Sequence, residues 1–196
     1  MKIRYNAPAV LTLTFISVAV LILSQTVFRS LTAQWFMVSG KGGFYPASLR
    51  CWVTLFTHIL GHANWPHLVS NFSFILLIGP ILEETYGSVP LLIMIAITAL
   101  VTGMLNVLSF PYSLLGASGV VFMMILLASF TNFKKGEIPL TFILVMILYL
   151  GRELFNSFGN NPQSNANANI SQFAHVVGGF IGSLFGFFRS SRQAQI

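Results

Sequence analysis

Three small polar groupings stand out in a chain that is otherwise apolar. Ser118 lies between glycines in Gly116-Ala117-Ser118-Gly119; His175 lies in a later apolar stretch; His67 and Asn71 lie four residues apart in an earlier one. A serine hydroxyl becomes a nucleophile when a base within hydrogen-bond reach takes its proton, and a neutral imidazole is suited to that task near neutral pH. Attack on a carbonyl creates an oxyanion, which needs N–H donors aimed at it. The first N–H groups of a helix lack internal partners and sit at the positive end of the helix dipole. Ser118 opens an apolar helix, so its own backbone N–H is one such donor, and the His67 imidazole and Asn71 amide are candidates for the others. The grouping reads as a Ser–His dyad, with Ser118 as nucleophile and His175 as base. Apart from Glu153, no carboxylate lies near this level of the chain to complete a triad.

The elements that must position these groups belong in a membrane. The 196 residues are 55% hydrophobic and 7% charged, against about 25% charged in a typical soluble domain. Mean hydropathy is +0.80. A soluble domain of this length cannot hide so much apolar surface, so the bilayer is its natural solvent. The net charge is +6, but the basic residues are scattered between apolar stretches. They read as topology signals, and no nucleic-acid partner is expected. Cys51 is the sole cysteine, which excludes an internal disulfide and a cysteine-based zinc site.

Apolar spans are predicted at about 8–28, 66–86, 88–108, 118–133, 138–158 and 170–188, long enough for the most part to cross roughly 30 Å of hydrocarbon at about 1.5 Å per residue. The first is longer than a signal-peptide core and no clear cleavage site follows it. Residues 29–64 are broken by Arg29, Lys41, Gly42, Gly43, Pro46 and Arg50, yet rich in aromatics, among them Trp35, Tyr45 and Trp52. Aromatics favour the membrane–water interface, so this segment is predicted as a loop with short helices lying partly in one leaflet. Residues 159–169, rich in asparagine, read as a loop. The expected fold is an all-α membrane protein, one domain over 1–196, built as a six-helix bundle with a partly embedded first loop. Six spans put Lys2, Arg4, Lys134, Lys135, Arg189 and Arg192 on one side, which should be cytoplasmic together with both termini.

Depth and face then connect the polar residues. From Ser118 to Lys134, and from His67 to Glu83, is roughly 24 Å of helix; from His175 to Arg189 is roughly 21 Å. All sit at a similar height, several Å below the outer face. Polar groups at that depth are costly unless they face one another or a wet cavity. His175 shares a stripe with Gly178, Gly182 and Gly186, and small residues at such spacing let helix backbones approach closely in lipid. Gly119 suits the same close approach from the fourth helix. His67 and Asn71 share a face of the second.

At these residues the chain resembles the rhomboid intramembrane serine proteases, over roughly residues 50–189. The family's Gly-x-Ser-Gly is Gly116-Ala117-Ser118-Gly119; its Ala-His-x-x-Gly-x-x-x-Gly runs from Ala174-His175 through Gly178 to Gly182; its His-x-x-x-Asn is His67 to Asn71. His62, and Glu83 with Gly87-Ser88, also fit its pattern. The resemblance implies a Ser118–His175 dyad, oxyanion donors at His67 and Asn71, and no cofactor. It implies cleavage within or beside transmembrane segments of other membrane proteins, with a bacterial plasma membrane as the expected location. Phe122 stands where the family often has tyrosine; it can still stack on the His175 ring but offers no hydroxyl. The family's Trp-Arg pair in the first loop is absent, with Val53-Thr54 in its place, and Gln172 replaces a frequent asparagine. His58 and His62 are expected to hydrogen-bond the loop to the second helix, and Glu83 and Glu84 to form a solvated helix end or a loop tether. The fifth span and the loop after it are expected to form a lateral gate. Two other readings stay open: an inactive rhomboid-like binding or trafficking protein, and a metal- or haem-binding protein using His58, His62 and His67. Against the latter, the chain has no His-Glu-x-x-His motif.

Overall fold

The computed structural model describes residues 5–130, 140–145, 147–148 and 166–193. Most of the fifth predicted span, with Arg152, Glu153 and Phe155, lies outside them, as do Lys2, Arg4, Lys134, Lys135 and residues 159–165. The described chain is helical, with a single isolated bridge between Val38 and Leu114. Its helices are α1 (Pro8–Thr26), α2 (Leu31–Trp35), α3 (Leu49–Thr57) with a 3-10 turn at His58–Leu60, α4 (Trp65–Tyr86), α5 (Ser88–Ser109), α6 (Ser118–Ala128), α7 (Leu140–Val145) and α8 (Ala166–Gln193). Among the described residues, α1, α4 and α5 are long and apolar enough to cross a membrane, while 49–60, 118–128 and 172–188 are shorter apolar helices.

The centre of the bundle is α6. Every residue from Gly119 to Leu127 is buried, as suits a helix that is apolar on all sides. It ends at Ala128 in a tightened turn, with Ser129 N–H on the Leu126 carbonyl and Phe130 N–H on that of Leu127. Against it lies α8, which begins at Ala166, inside the stretch predicted as loop. No glycine or proline interrupts the chain between Ala166 and Val177, so nothing there prevents the helix from extending upstream. A Cβ on Gly178 would come to 2.0 Å from the Gly119 carbonyl oxygen, one on Gly182 to 2.2 Å from that of Met123, and one on Gly186 to 2.4 Å from the Phe130 ring. Such distances leave no space for a side chain, so the three glycines set how closely the helices approach.

Two further joints hold the frame. A single glycine, Gly87, at φ +87°, separates α4 from α5, a left-handed conformation that costs glycine nothing. The start of α1 has no cap of its own, since Ala7 offers no acceptor side chain. Glu83 supplies one across the bundle: Ala9 N–H donates to its Oε1 at 2.9 Å, Val10 N–H to its Oε2 at 3.0 Å, and the Ser88 hydroxyl to Oε1 at 2.6 Å. The expectation of a solvated end therefore fails for Glu83, which is buried, and fits Glu84, which is exposed. A carboxylate against the bare N–H groups of a helix satisfies both the donors and the dipole.

The first loop docks on the segment before α6. Val38 and Leu114 exchange two backbone hydrogen bonds, each 2.9 Å, and Lys41 N–H reaches the Phe110 carbonyl at 2.6 Å. Along α3, Cys51, Thr54 and Leu55 are buried and Arg50, Trp52 and Phe56 are exposed. Leu55 lies against Gly103 of α5. Phe28, Trp35, Tyr45, Leu49 and Trp65 also stand exposed on this end of the molecule.

Candidate active site

Ser118 is the first residue of α6, and its N-cap, Ala117, has no side chain that could occupy the helix's first N–H groups. The turn into the helix is made by Gly116 at φ +110°. This glycine is pinned by its N–H, which donates to the His58 carbonyl at 2.9 Å. It is also roofed by α4: a Cβ there would lie 2.7 Å from His67 Nε2, 2.8 Å from His67 Cε1 and 3.6 Å from Asn71 Nδ2. The spacing of His67 and Asn71 puts them on one face of α4, and that face is the one turned to the residue two before Ser118. The N-terminal end of α4 is fixed by Asn64, whose Oδ1 accepts from the His67 N–H at 2.9 Å.

His175 arrives from α8. Its ring stacks on Phe122, centroids 4.2 Å apart and planes 8° from parallel. Phe122 is one helical turn beyond Ser118 and shares its face of α6, so the imidazole lies on the serine's side of the helix. The neighbouring backbone is equally close, since a Cβ on Gly119 would sit 3.2 Å from the Ala174 carbonyl oxygen. Ser118, His175 and His67 are half-buried, whereas Gly116, Asn71 and His62 are buried. The arrangement thus offers a hydroxyl, an imidazole and N–H donors at one helix start, with the hydroxyl and both imidazoles on residues that are only partly buried.

A second layer of histidines lies behind. His62 Nε2 is 3.1 Å from Asn71 Nδ2, and His62 Nδ1 is 3.3 Å from the Leu60 carbonyl. Its ring meets His67 edge-on at 5.0 Å and Phe72 at 5.6 Å. His58 Nδ1 is turned onto the carbonyls of Leu55 and Thr54, at 3.1 and 3.3 Å. Burial pushes His58 down to about 4, against the partial support of those two carbonyls. Burial, together with the neighbouring His67, does the same to His62, also to about 4. Both rings are therefore neutral near pH 7. His58 Nδ1 and both nitrogens of His62 are turned to protein groups, and among the described residues no three His, Cys, Asp or Glu side chains converge as metal ligands do.

One polar feature beside the site escaped the sequence reading. Thr98, Thr102 and Asn106 follow at steps of four on α5, all buried. The Thr102 methyl would lie 3.2 Å from a Cβ on Gly119. Asn106 Nδ2 donates to the Tyr112 carbonyl at 3.0 Å, while its Oδ1 is buried with no partner among the described residues, a state that calls for a solvent hydrogen bond. The signal was a polar stripe at helical spacing in a span that is otherwise apolar.

The chain has relatives among known proteins. The model of the Rhomboid domain matches residues 49–192, which include every residue placed around Ser118. The chain is also similar to the rhomboid protease GlpG of Haemophilus influenzae, 26% identical over 138 residues that cover 68% of each chain. With apolar helices of membrane-crossing length and a family match over most of its sequence, the protein is a member of the rhomboid family.

Proposed function

We propose that this protein is an intramembrane serine endopeptidase that cuts peptide bonds within or beside transmembrane segments of other membrane proteins. Ser118 Oγ attacks the scissile carbonyl and its proton passes to the neutral His175 imidazole. The resulting oxyanion is held by the Ser118 N–H, the Asn71 amide N–H and His67. His175 then gives the proton to the leaving amine, and a water, activated by the same imidazole, releases the acyl group. The stack on Phe122 holds the His175 ring in the plane the transfers need. A substrate helix must unwind to present its carbonyl, so segments with small or helix-breaking residues near the cut are preferred.

The same reading has six spans in a bacterial plasma membrane, both termini cytoplasmic, and the first loop seated partly in the outer leaflet through Phe28, Trp35, Leu49 and Trp52. The observation that supports it most is the meeting of three separate helices at the start of α6: α4 brings His67 and Asn71 to Gly116, and α8 brings His175 to Phe122. The test is cleavage of a reporter transmembrane substrate by purified protein in liposomes. Ser118→Ala and His175→Ala each abolish cleavage with the thermal transition unchanged, and a fluorophosphonate labels wild type at Ser118. Undiminished cleavage by either variant ends the serine-protease reading.

A further inference from the structure

An oxyanion donor made from asparagine has an orientation problem. A side-chain amide has a donor end and an acceptor end of nearly the same shape. Half a turn about its last torsion exchanges them, and the wrong end would set a carbonyl oxygen against the negative charge it is meant to hold. Something must choose the end that Asn71 shows to Gly116.

A chain of hydrogen bonds makes that choice. The Leu60 carbonyl can only accept, and it lies 3.3 Å from His62 Nδ1, so Nδ1 carries the proton. A neutral imidazole protonated at Nδ1 is an acceptor at Nε2. Nε2 lies 3.1 Å from Asn71 Nδ2, and an acceptor there requires the amide to turn its nitrogen inward. That nitrogen has a second hydrogen, and it lies 3.6 Å from the point where a side chain on Gly116 would begin. The imidazole cannot readily swing out of this arrangement, being held edge-on between His67 and Phe72. It stays neutral near pH 7 because burial pushes it down to about 4.

We infer that His62 is a positioning residue: through its Nδ1–H tautomer, set by the Leu60 carbonyl, it orients the Asn71 amide so that an N–H faces the oxyanion site. This rests on the dyad reading above, and it assigns His62 a role distinct from tying the loop to α4. A simple tie would affect stability and every catalytic group alike. A positioning residue acts through Asn71 alone.

The test is a double-mutant cycle on kcat and KM with the reporter substrate. Asn71→Ala lowers kcat by roughly 10²-fold, the scale of one lost oxyanion donor. His62→Ala lowers it by about tenfold, the scale of one net hydrogen bond, with KM unmoved. His62→Gln, whose amide reaches roughly where Nε2 stood, recovers most of that loss. In the Asn71→Ala background His62→Ala changes kcat by less than about twofold. A further drop of about tenfold in that background overturns the inference. Nitrogen NMR of histidine-labelled wild type, with His62→Gln for assignment, needs neither activity nor a folded alanine variant. A bare Nδ1 and protonated Nε2 on His62 also overturns the inference. Persistent cleavage by Ser118→Ala sinks the protease reading instead, and the tautomer measurement then decides the orientation of Asn71 on its own.

Discussion

Two contacts bring side chains to Ser118, and they are built on opposite principles. The seam between α6 and α8 is glycine against backbone: Gly178 faces the Gly119 carbonyl and Gly182 that of Met123, with no space for a methyl at either. The rim where α4 meets the first loop is rings and amides joined by hydrogen bonds of 2.9 to 3.3 Å, between His67 and Asn64, Asn71 and His62, His62 and Leu60, and Gly116 and His58. The seam sets a distance between two helices. The rim sets which way donors and acceptors point. Van der Waals contact is steep in distance and indifferent to direction, whereas a hydrogen bond tolerates a few tenths of an ångström and discriminates strongly by angle and by donor or acceptor type. A base needs to be near its serine, and an oxyanion donor needs to be turned to its charge.

That contrast predicts a graded set of failures. The largest is at the seam. Gly178→Val places its Cβ at 2.0 Å from a backbone oxygen, so α8 must move by an ångström or more and carry His175 with it. Overpacking of this kind costs ~1–3 kcal/mol or more, and such a displacement alone costs about 10²-fold in rate. Cleavage should disappear and the thermal transition should fall; a variant of normal activity and stability would show that the seam does not set the distance.

Substitutions at the rim should spare the fold and cost rate. Asn71→Ala lowers turnover by roughly 10²–10³-fold at most, and His67→Ala acts similarly, both readable as kcat losses in well-folded protein. If both leave turnover unchanged, the rim has no part in the oxyanion site. Smaller again is the loss of the Phe122 stack on His175. Aromatic pairs of this geometry are worth ~0.5–1.5 kcal/mol, so Phe122→Ala should slow cleavage by up to about tenfold, and Phe122→Tyr, which keeps the ring, should be close to wild type.

The smallest effect at neutral pH is that of the titration of the buried histidines, which emerges only on acidification. His58 and His62 are held down to about 4 in the folded protein, below the ordinary 6.5. Between those values the unfolded chain binds more protons than the folded one, so stability rises with pH through that window. The contribution is fully present above about 6.5 and is lost as pH falls toward 4, at up to ~1.4 kcal/mol per pH unit for each histidine. Thermal transitions measured from pH 7.5 to 4 should show that slope, and His58→Phe should roughly halve it, leaving the part due to His62. The seam has no titratable group among the glycines that form it and should contribute no slope of its own.

Much of this was legible in the residue order. Unbroken apolar runs mark helices such as Pro8–Thr26 and Ser88–Ser109, because a bilayer leaves the backbone no other way to satisfy itself. A step of four puts His67 with Asn71, and His175 in line with its glycines, because the helix repeat is a local property. The aromatic loop of 29–64 was recognisable by what it lacks, a run long enough to span. Other features were not legible. Nothing near Pro8 says that its helix is capped by Glu83, which lies 74 residues away in sequence from Ala9. Nothing in the Thr98, Thr102 and Asn106 stripe names Gly119 as its neighbour, and Asn106 is left with an acceptor that no residue of the described chain meets.

The division follows from the range of the interactions. Helix periodicity, membrane-crossing length and motif spacing depend on residues within a few turns of one another, so the amino-acid order alone determines them. Which face meets which, that His67 and Asn71 close over Gly116, and that a glutamate at the end of α4 serves the start of α1, depend on how the helices pack. Only the tertiary structure decided those, because a hydrogen bond between groups far apart in sequence exists only once packing has brought the donor and the acceptor within reach.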